Sequence, residues 1–203
     1  MSELAEGARL EIVCTAKTVP RVRIPFSAPQ KHLLMQVLFS YSEGDNMSGY
    51  IMWLRSFVGH KPLLQCGAGV IVENEKGEIL LIKRTDNGCW GYAGGSVELG
   101  EKVEDTACRE LFEETGLIAD SLELFSVFSG EDTRYTYPNG DEVHNIDIVY
   151  ICRSFHGELR ADKDEVSELH FFDIESIPEN ISPPLIVPLK KYIQQRKNKT
   201  ACD

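Results

Sequence analysis

The run from Gly95 to Leu117 constrains this chain more than any other stretch. Within it Glu110, Glu113 and Glu114 stand at i, i+3 and i+4. On a helix these positions share an arc of roughly 100°, one above the other. Three like charges crowded on one face destabilise a bare helix, so the pattern asks for a positive charge among them. A hard divalent cation, Mg²⁺ or Mn²⁺, meets that need. It prefers oxygen ligands and requires few protein carboxylates when phosphates complete its shell.

The helix itself is expected from about Lys102 to Thr115, with Gly116 stopping it. Its apolar flank reads Ala107, Cys108, Leu111 and Phe112, turned away from the glutamates. Upstream, Tyr50 to Val58 has helical spacing. Gly67–Glu73 and Ile79–Lys83 read as two strands of one hairpin about the turn at 75–78. Further strands are expected at Leu122–Phe128, Arg134–Tyr137, Val143–Cys152 and Glu168–Phe172. Pro138-Asn139-Gly140-Asp141 is a hairpin turn between two of them. A last amphipathic helix runs from about Leu185 to Gln195, with Pro188 tolerable only in its first turn. Strands outnumber helices and come in hairpins, which gives an α+β class with a mixed sheet flanked by helices.

Residues 1–46 differ from the rest. They hold five basic and five acidic residues, so the whole net charge of −11 falls after them. Pro20, Pro25 and Pro29 interrupt any periodicity. This segment is read as an accessory or non-native extension, and 47–203 as the working domain. With 203 residues and 42% hydrophobic content, one full core is expected.

The residues Gly95, Glu101, Arg109, Glu110, Leu111, Glu113, Glu114, Gly116 and Leu117 fit the spacing G-x5-E-x7-R-E-L-x-E-E-x-G-L. This arrangement resembles the Nudix box at every defining position, and the resemblance extends over roughly residues 62–180. It implies an α/β/α sandwich around a mixed sheet, with the box as a loop–helix–loop. It further implies Mg²⁺-dependent hydrolysis of a nucleoside diphosphate linked to another moiety, by attack of water on phosphorus. By position, Glu110, Glu113 and Glu114 would be metal ligands, joined by the carbonyl of Gly94. Arg109 would orient the carboxylates, Glu101 would support the site, and Gly95 would let the backbone approach the phosphates. Where many relatives carry Pro-Gly-Gly, this chain has Ala93-Gly94-Gly95, which loosens the loop without removing a ligand.

The chemistry suits these residue types. Attack on a pyrophosphate builds negative charge, which a divalent ion offsets while activating water. A glutamate then takes the proton. Glu110 is the base candidate inside the box. Glu165, in the acidic loop 161–166, is the distal one, with Glu168 behind it. Arg84 is placed to reach a phosphate. Trp90, Tyr92, Tyr135 and Tyr137 are aromatic residues suited to a base or ribose, although ordinary packing explains each of them as well.

Other classes weigh less. The acidic balance argues against a nucleic-acid scaffold or a basic RNA channel. The six cysteines form no C-x-x-C pair, and the five histidines show no metal spacing. A reduced cytoplasmic setting follows, with no membrane role. Substrates left open are nucleoside triphosphates, ADP-ribose, nucleotide sugars and dinucleoside polyphosphates. A homodimer is a family-level expectation. The alternative class is a catalytically silent nucleotide-binding sensor of the same fold.

Overall fold

The computed structural model describes residues 49–200. The proposed extension 1–46 lies outside the described residues. The chain begins with α1 (Gly49–Val58), then β1 (Leu63–Val72), β2 (Ile79–Arg84), β3 (Trp90–Gly91) and β4 (Ala93–Ser96). Next come α2 (Val103–Thr115), β5 (Leu117–Phe128), β6 (Arg134–Thr136), β7 (Glu142–Gly157) and β8 (Val166–Phe172). A 3₁₀ turn, Pro183–Leu185, leads into α3 (Ile186–Thr200), which places Pro188 in the first turn as expected. No described helix is long and apolar enough to cross a membrane.

A five-stranded sheet has the order β4-β1-β7-β5, with β6 also paired to β7. The β1–β7 ladder is parallel, from Leu63↔Val143 to Val72↔Cys152, and its neighbours are antiparallel. The sheet is therefore mixed, as expected. A second, antiparallel sheet has the order β3-β2-β8.

The sandwich follows from the second half of β1, Gly67 to Val72, which is buried on both faces and so reads as a continuous apolar run. Ala68, Val70 and Val72 pack with Ala107 and Leu111 of α2. Ile71, pointing the other way, packs with Leu189 and Tyr192 of α3. Just past β1, the buried carboxylate of Glu73 accepts from Tyr192 Oη (2.6 Å), Arg153 Nε (2.9 Å) and Arg196 Nη1 (2.5 Å), fastening α3 to the sheet.

Two expectations need correction. The turn at 74–78 forms, with Asn74 N–H on Glu78 O and Gly77 at φ 79°, but β1 and β2 do not share a hairpin. After one bridge, Glu73↔Ile79, they part into different sheets. Strand β1 pairs with β4 and β7, and β2 with β3 and β8. On α2, Ala107 and Leu111 are buried as expected, but Cys108 and Phe112 face solvent. Thr106, Glu114 and Thr115 take the inward places instead.

Candidate active site

The box is built by three elements in sequence. Strand β4 pairs antiparallel with β1 and brings Gly94 and Gly95 beside Gly69 and Ala68. The loop 97–102 turns the chain, and α2 presents the acidic residues. Glu104 and Asp105 lie in the first turn of α2, where the helix dipole favours them. Gly116 closes it in the left-handed conformation at φ 76°, donating its N–H to Phe112 O.

Arg109 is the hub. Its Nε and Nη2 donate to Glu101 Oε1 and Oε2 at 2.8 and 3.1 Å. Its Nη1 donates to Glu110 Oε1 at 2.7 Å and to Glu113 Oε2 at 3.0 Å, and Nη2 also reaches Ser96 O at 3.3 Å. Glu101, held by Arg109 and by the Thr106 hydroxyl, has its pKa lowered to about 2. The Glu101 carboxylate in turn holds the Arg109 guanidinium well above its ordinary range.

The three glutamates on one helical face are not equivalent. Glu113 is exposed, Glu110 is half-buried, and Glu114 is only 3% exposed, accepting from Gly94 N–H at 2.9 Å. Burial pushes Glu114 up to about 8, with the Glu110 charge adding to it and Arg84 opposing it. Burial also raises Glu110, and the charges of Glu113 and Glu165 add to the rise, against the pull of Arg109.

This set fits a hard divalent cation. Every donor is an oxygen, and the like charges already resist ionisation together. Gly95 leaves the carboxylate its room, since a Cβ there would overlap Glu110 Oε1. As the side chains stand, no three acidic, histidine or cysteine groups among the described residues converge on a chelating point. Arg109 spans oxygens of Glu110 and Glu113 instead.

Beside the box lies a cleft. Gly94 and Gly95 form its rim, with Arg84, Tyr135 and Tyr137 among its walls. Tyr135 and Tyr137 meet edge to face, with ring centres 4.9 Å apart. Arg84 makes two hydrogen bonds to Asp86, at 3.0 and 3.1 Å, and lies close enough to Glu114 to lower its pKa. Tyr92 lines the cleft from a buried position. Trp90 does not join it. It is 8% exposed and packs edge to face on Phe172 in the core, so its ring is not presented to a ligand. Glu165, ahead of β8, is near enough for its charge to act on Glu110 and Glu114. Glu168 is tied to Lys83 Nζ at 2.6 Å on the surface.

The cleft floor comes from residues that the sequence reading passed over. Gln65, Gly67 and Gly69 of β1 and Asn145, Asp147 and Val149 of β7 line it, alternating along each strand. Asp147 left a usable signal, being a charge set between Ile146 and Ile148 in an apolar strand.

Comparison with known proteins agrees with this geometry. An ADP-ribose pyrophosphatase of Methanocaldococcus jannaschii is 43% identical over 114 residues, covering 55% of this chain and 62% of the relative. An NAD-capped RNA hydrolase of Vibrio cholerae is 27% identical over 111 residues, 54% of this chain and 38% of the relative. The chain thus spans less than two thirds of the length of either curated relative. The crystal structure of a MutT Nudix hydrolase from Burkholderia pseudomallei superposes with a TM-score of 0.55 at 32% identity, covering 63% of this chain and 97% of that one. The family profile described as NUDIX domain matches residues 63–193, and the chain belongs to the Nudix family.

Proposed function

We propose that this chain is a divalent-metal-dependent pyrophosphohydrolase acting on a nucleoside diphosphate joined to a second group, with ADP-ribose the leading substrate. The observation that carries the reading is the complete acidic array. Arg109 binds Glu101, Glu110 and Glu113, while Glu114 is held by the backbone of Gly94, and Gly94 itself lines the cleft. A silent sensor has no need of that array. ADP-ribose leads because the archaeal relative named for it shares 43% identity.

Glu110, Glu113, Glu114 and the Gly94 carbonyl would hold the ion, Mg²⁺ or Mn²⁺. When bound, it supplies charge neutralisation at the pyrophosphate and activation of the attacking water. Arg109 holds the carboxylates of Glu110 and Glu113 side by side on the helix, which shortens the path to a shared ion. Arg84 approaches the phosphates from β2, and Tyr135 and Tyr137 offer faces and edges to the nucleoside. Glu165 accepts the proton of the attacking water. Among the described residues its carboxylate accepts no hydrogen bond, whereas Glu110 is engaged by Arg109.

The test is hydrolysis of ADP-ribose with Mg²⁺, followed by release of AMP, alongside ATP, dGTP, UDP-glucose, NADH, diadenosine polyphosphates and CDP-choline. Glu113→Gln serves as the blank. Turnover of at least one compound, absent in the variant, is expected. No turnover of any by pure protein would overturn the enzyme reading in favour of a nucleotide-binding sensor.

A further inference from the structure

Two buried polar atoms in the cleft have no hydrogen-bond partner among the described residues: the Tyr92 hydroxyl and Asp147 Oδ2. Both residues line the same cleft, Asp147 from β7 and Tyr92 from between β3 and β4. A buried polar group without a partner costs on the order of 1–3 kcal/mol, so such groups call for an explanation. Strand β1 is shaped around these two side chains. A Cβ on Gly67 would lie 2.9 Å from Asp147 Oδ1, and one on Gly69 would lie 2.6 Å from Tyr92 Cε2. Each glycine clears a seat for one of the pair. Gly67 is also the direct parallel neighbour of Asp147 in the β1–β7 ladder.

From this geometry we propose that Asp147 and Tyr92 are specificity-determining residues that read the edge of an aminated nucleobase, of the adenine type. An ionised carboxylate only accepts hydrogen bonds, whereas a tyrosine hydroxyl can donate. Adenine presents the complement, an exocyclic amine that donates beside a ring nitrogen that accepts. The amine donates to Asp147 and the ring nitrogen accepts from Tyr92. Hypoxanthine inverts both groups, setting a carbonyl oxygen against the carboxylate and an N–H against the hydroxyl. A site built to pair a polar group rejects the analogue that leaves it unpaired more strongly than an apolar pocket can. Tyr135 and Tyr137 line the same cleft, with their rings edge to face.

The inference rests on the nucleotide-cleaving reading for its ligand class, but its test does not depend on turnover. Binding of AMP and of IMP to the full chain is measured by titration calorimetry, for the wild type, Asp147→Asn and Tyr92→Phe. Wild type is expected to bind AMP at least about tenfold tighter than IMP. In Asp147→Asn, whose amide can turn a donor toward the carbonyl, that preference falls to about twofold or less. Tyr92→Phe weakens AMP binding by about threefold to tenfold without lowering the melting temperature, because the hydroxyl it removes has no protein partner. Equal wild-type affinity for the two nucleotides, no binding of either, or a preference that persists in Asp147→Asn would each overturn the inference. The wild-type comparison decides even if a variant fails to fold. A protein that hydrolyses ADP-ribose yet does not discriminate sinks only this inference. One that discriminates without hydrolysing sinks only the enzyme reading.

Discussion

Arg109 grips Glu101 through two hydrogen bonds from different guanidinium nitrogens, at 2.8 and 3.1 Å, so a residue of the loop is locked to a residue of the helix. The same guanidinium then has one nitrogen left for Glu110 and Glu113. A lysine keeps the charge but not the fork. Arg109→Lys is therefore expected to cut kcat by about 10-fold to 100-fold, the range typical when a group that orients a ligand is lost. Glu101→Gln should fall in the same direction, and the double variant should be far from additive. Steady-state kinetics on the three variants and the wild type checks this; additive losses would mean that the two residues act separately.

The choice of base is open to a direct comparison. Loss of a general base costs about 10²-fold to 10⁴-fold in rate. Glu165→Gln is expected to lose at least that lower figure in kcat with KM little changed. A loss under about tenfold removes Glu165 from proton transfer and returns the role to Glu110.

Metal removal should abolish activity, and Mg²⁺ or Mn²⁺ should restore it. Gly95→Ala offers a steric version of the same test, since the added Cβ would overlap Glu110 Oε1. A displaced carboxylate of this kind costs about 100-fold or more in kcat. Circular dichroism and a melting curve separate that effect from unfolding. Full activity in Gly95→Ala would show that Glu110 need not hold its observed place.

Asp147 gives a pH signature. Burial raises its pKa to about 6, against about 3.9 in an unfolded chain. Between those values the folded state binds the extra proton, so stability attributable to this group falls as pH rises from about 4 to about 6 and is level above. The stability of the wild type relative to Asp147→Asn should drop by about 2 kcal/mol across that window. Urea unfolding of both proteins at pH 4, 5, 6 and 7 measures it. A flat difference would mean that the carboxylate is as well solvated in the fold as out of it.

Glu73 is a purely structural prediction. Its buried carboxylate takes Tyr192, Arg153 and Arg196 together. Deleting the carboxylate leaves the buried Tyr192 hydroxyl without its acceptor, at about 1–3 kcal/mol, while Arg153 keeps Glu123. Glu73→Ala should lose that much in chemical denaturation while the purified folded fraction retains its kcat, because the network lies across the sheet from the box.

Some of this was legible beforehand and some was not, for physical reasons. The α2 helix announced itself because carboxylate spacing and a terminal glycine act within a few residues of each other. The turn before β7 was readable from Pro138 to Asp141, and the fold places Tyr137 N–H on Asp141 O there. Strands β3 and β4 hold two and four residues and three glycines between them, so they carry no period to detect. The parting of β1 and β2 was invisible because a local turn looks the same whether its arms pair or diverge. Trp90 looked like a substrate residue beside the box, yet aromatic character cannot reveal which way a two-residue strand points its ring. Asp147 was missed because its meaning depends on Gly67, a neighbour 80 positions earlier in the chain.

That last pairing has a temporal consequence. A parallel ladder between β1 and β7 cannot close until the whole intervening chain has been made, and long-range closures come late in folding. During synthesis the acidic helix can therefore exist before any binding floor does. A chain halted ahead of Glu142 would carry every glutamate of the box and still have nowhere to seat a nucleotide.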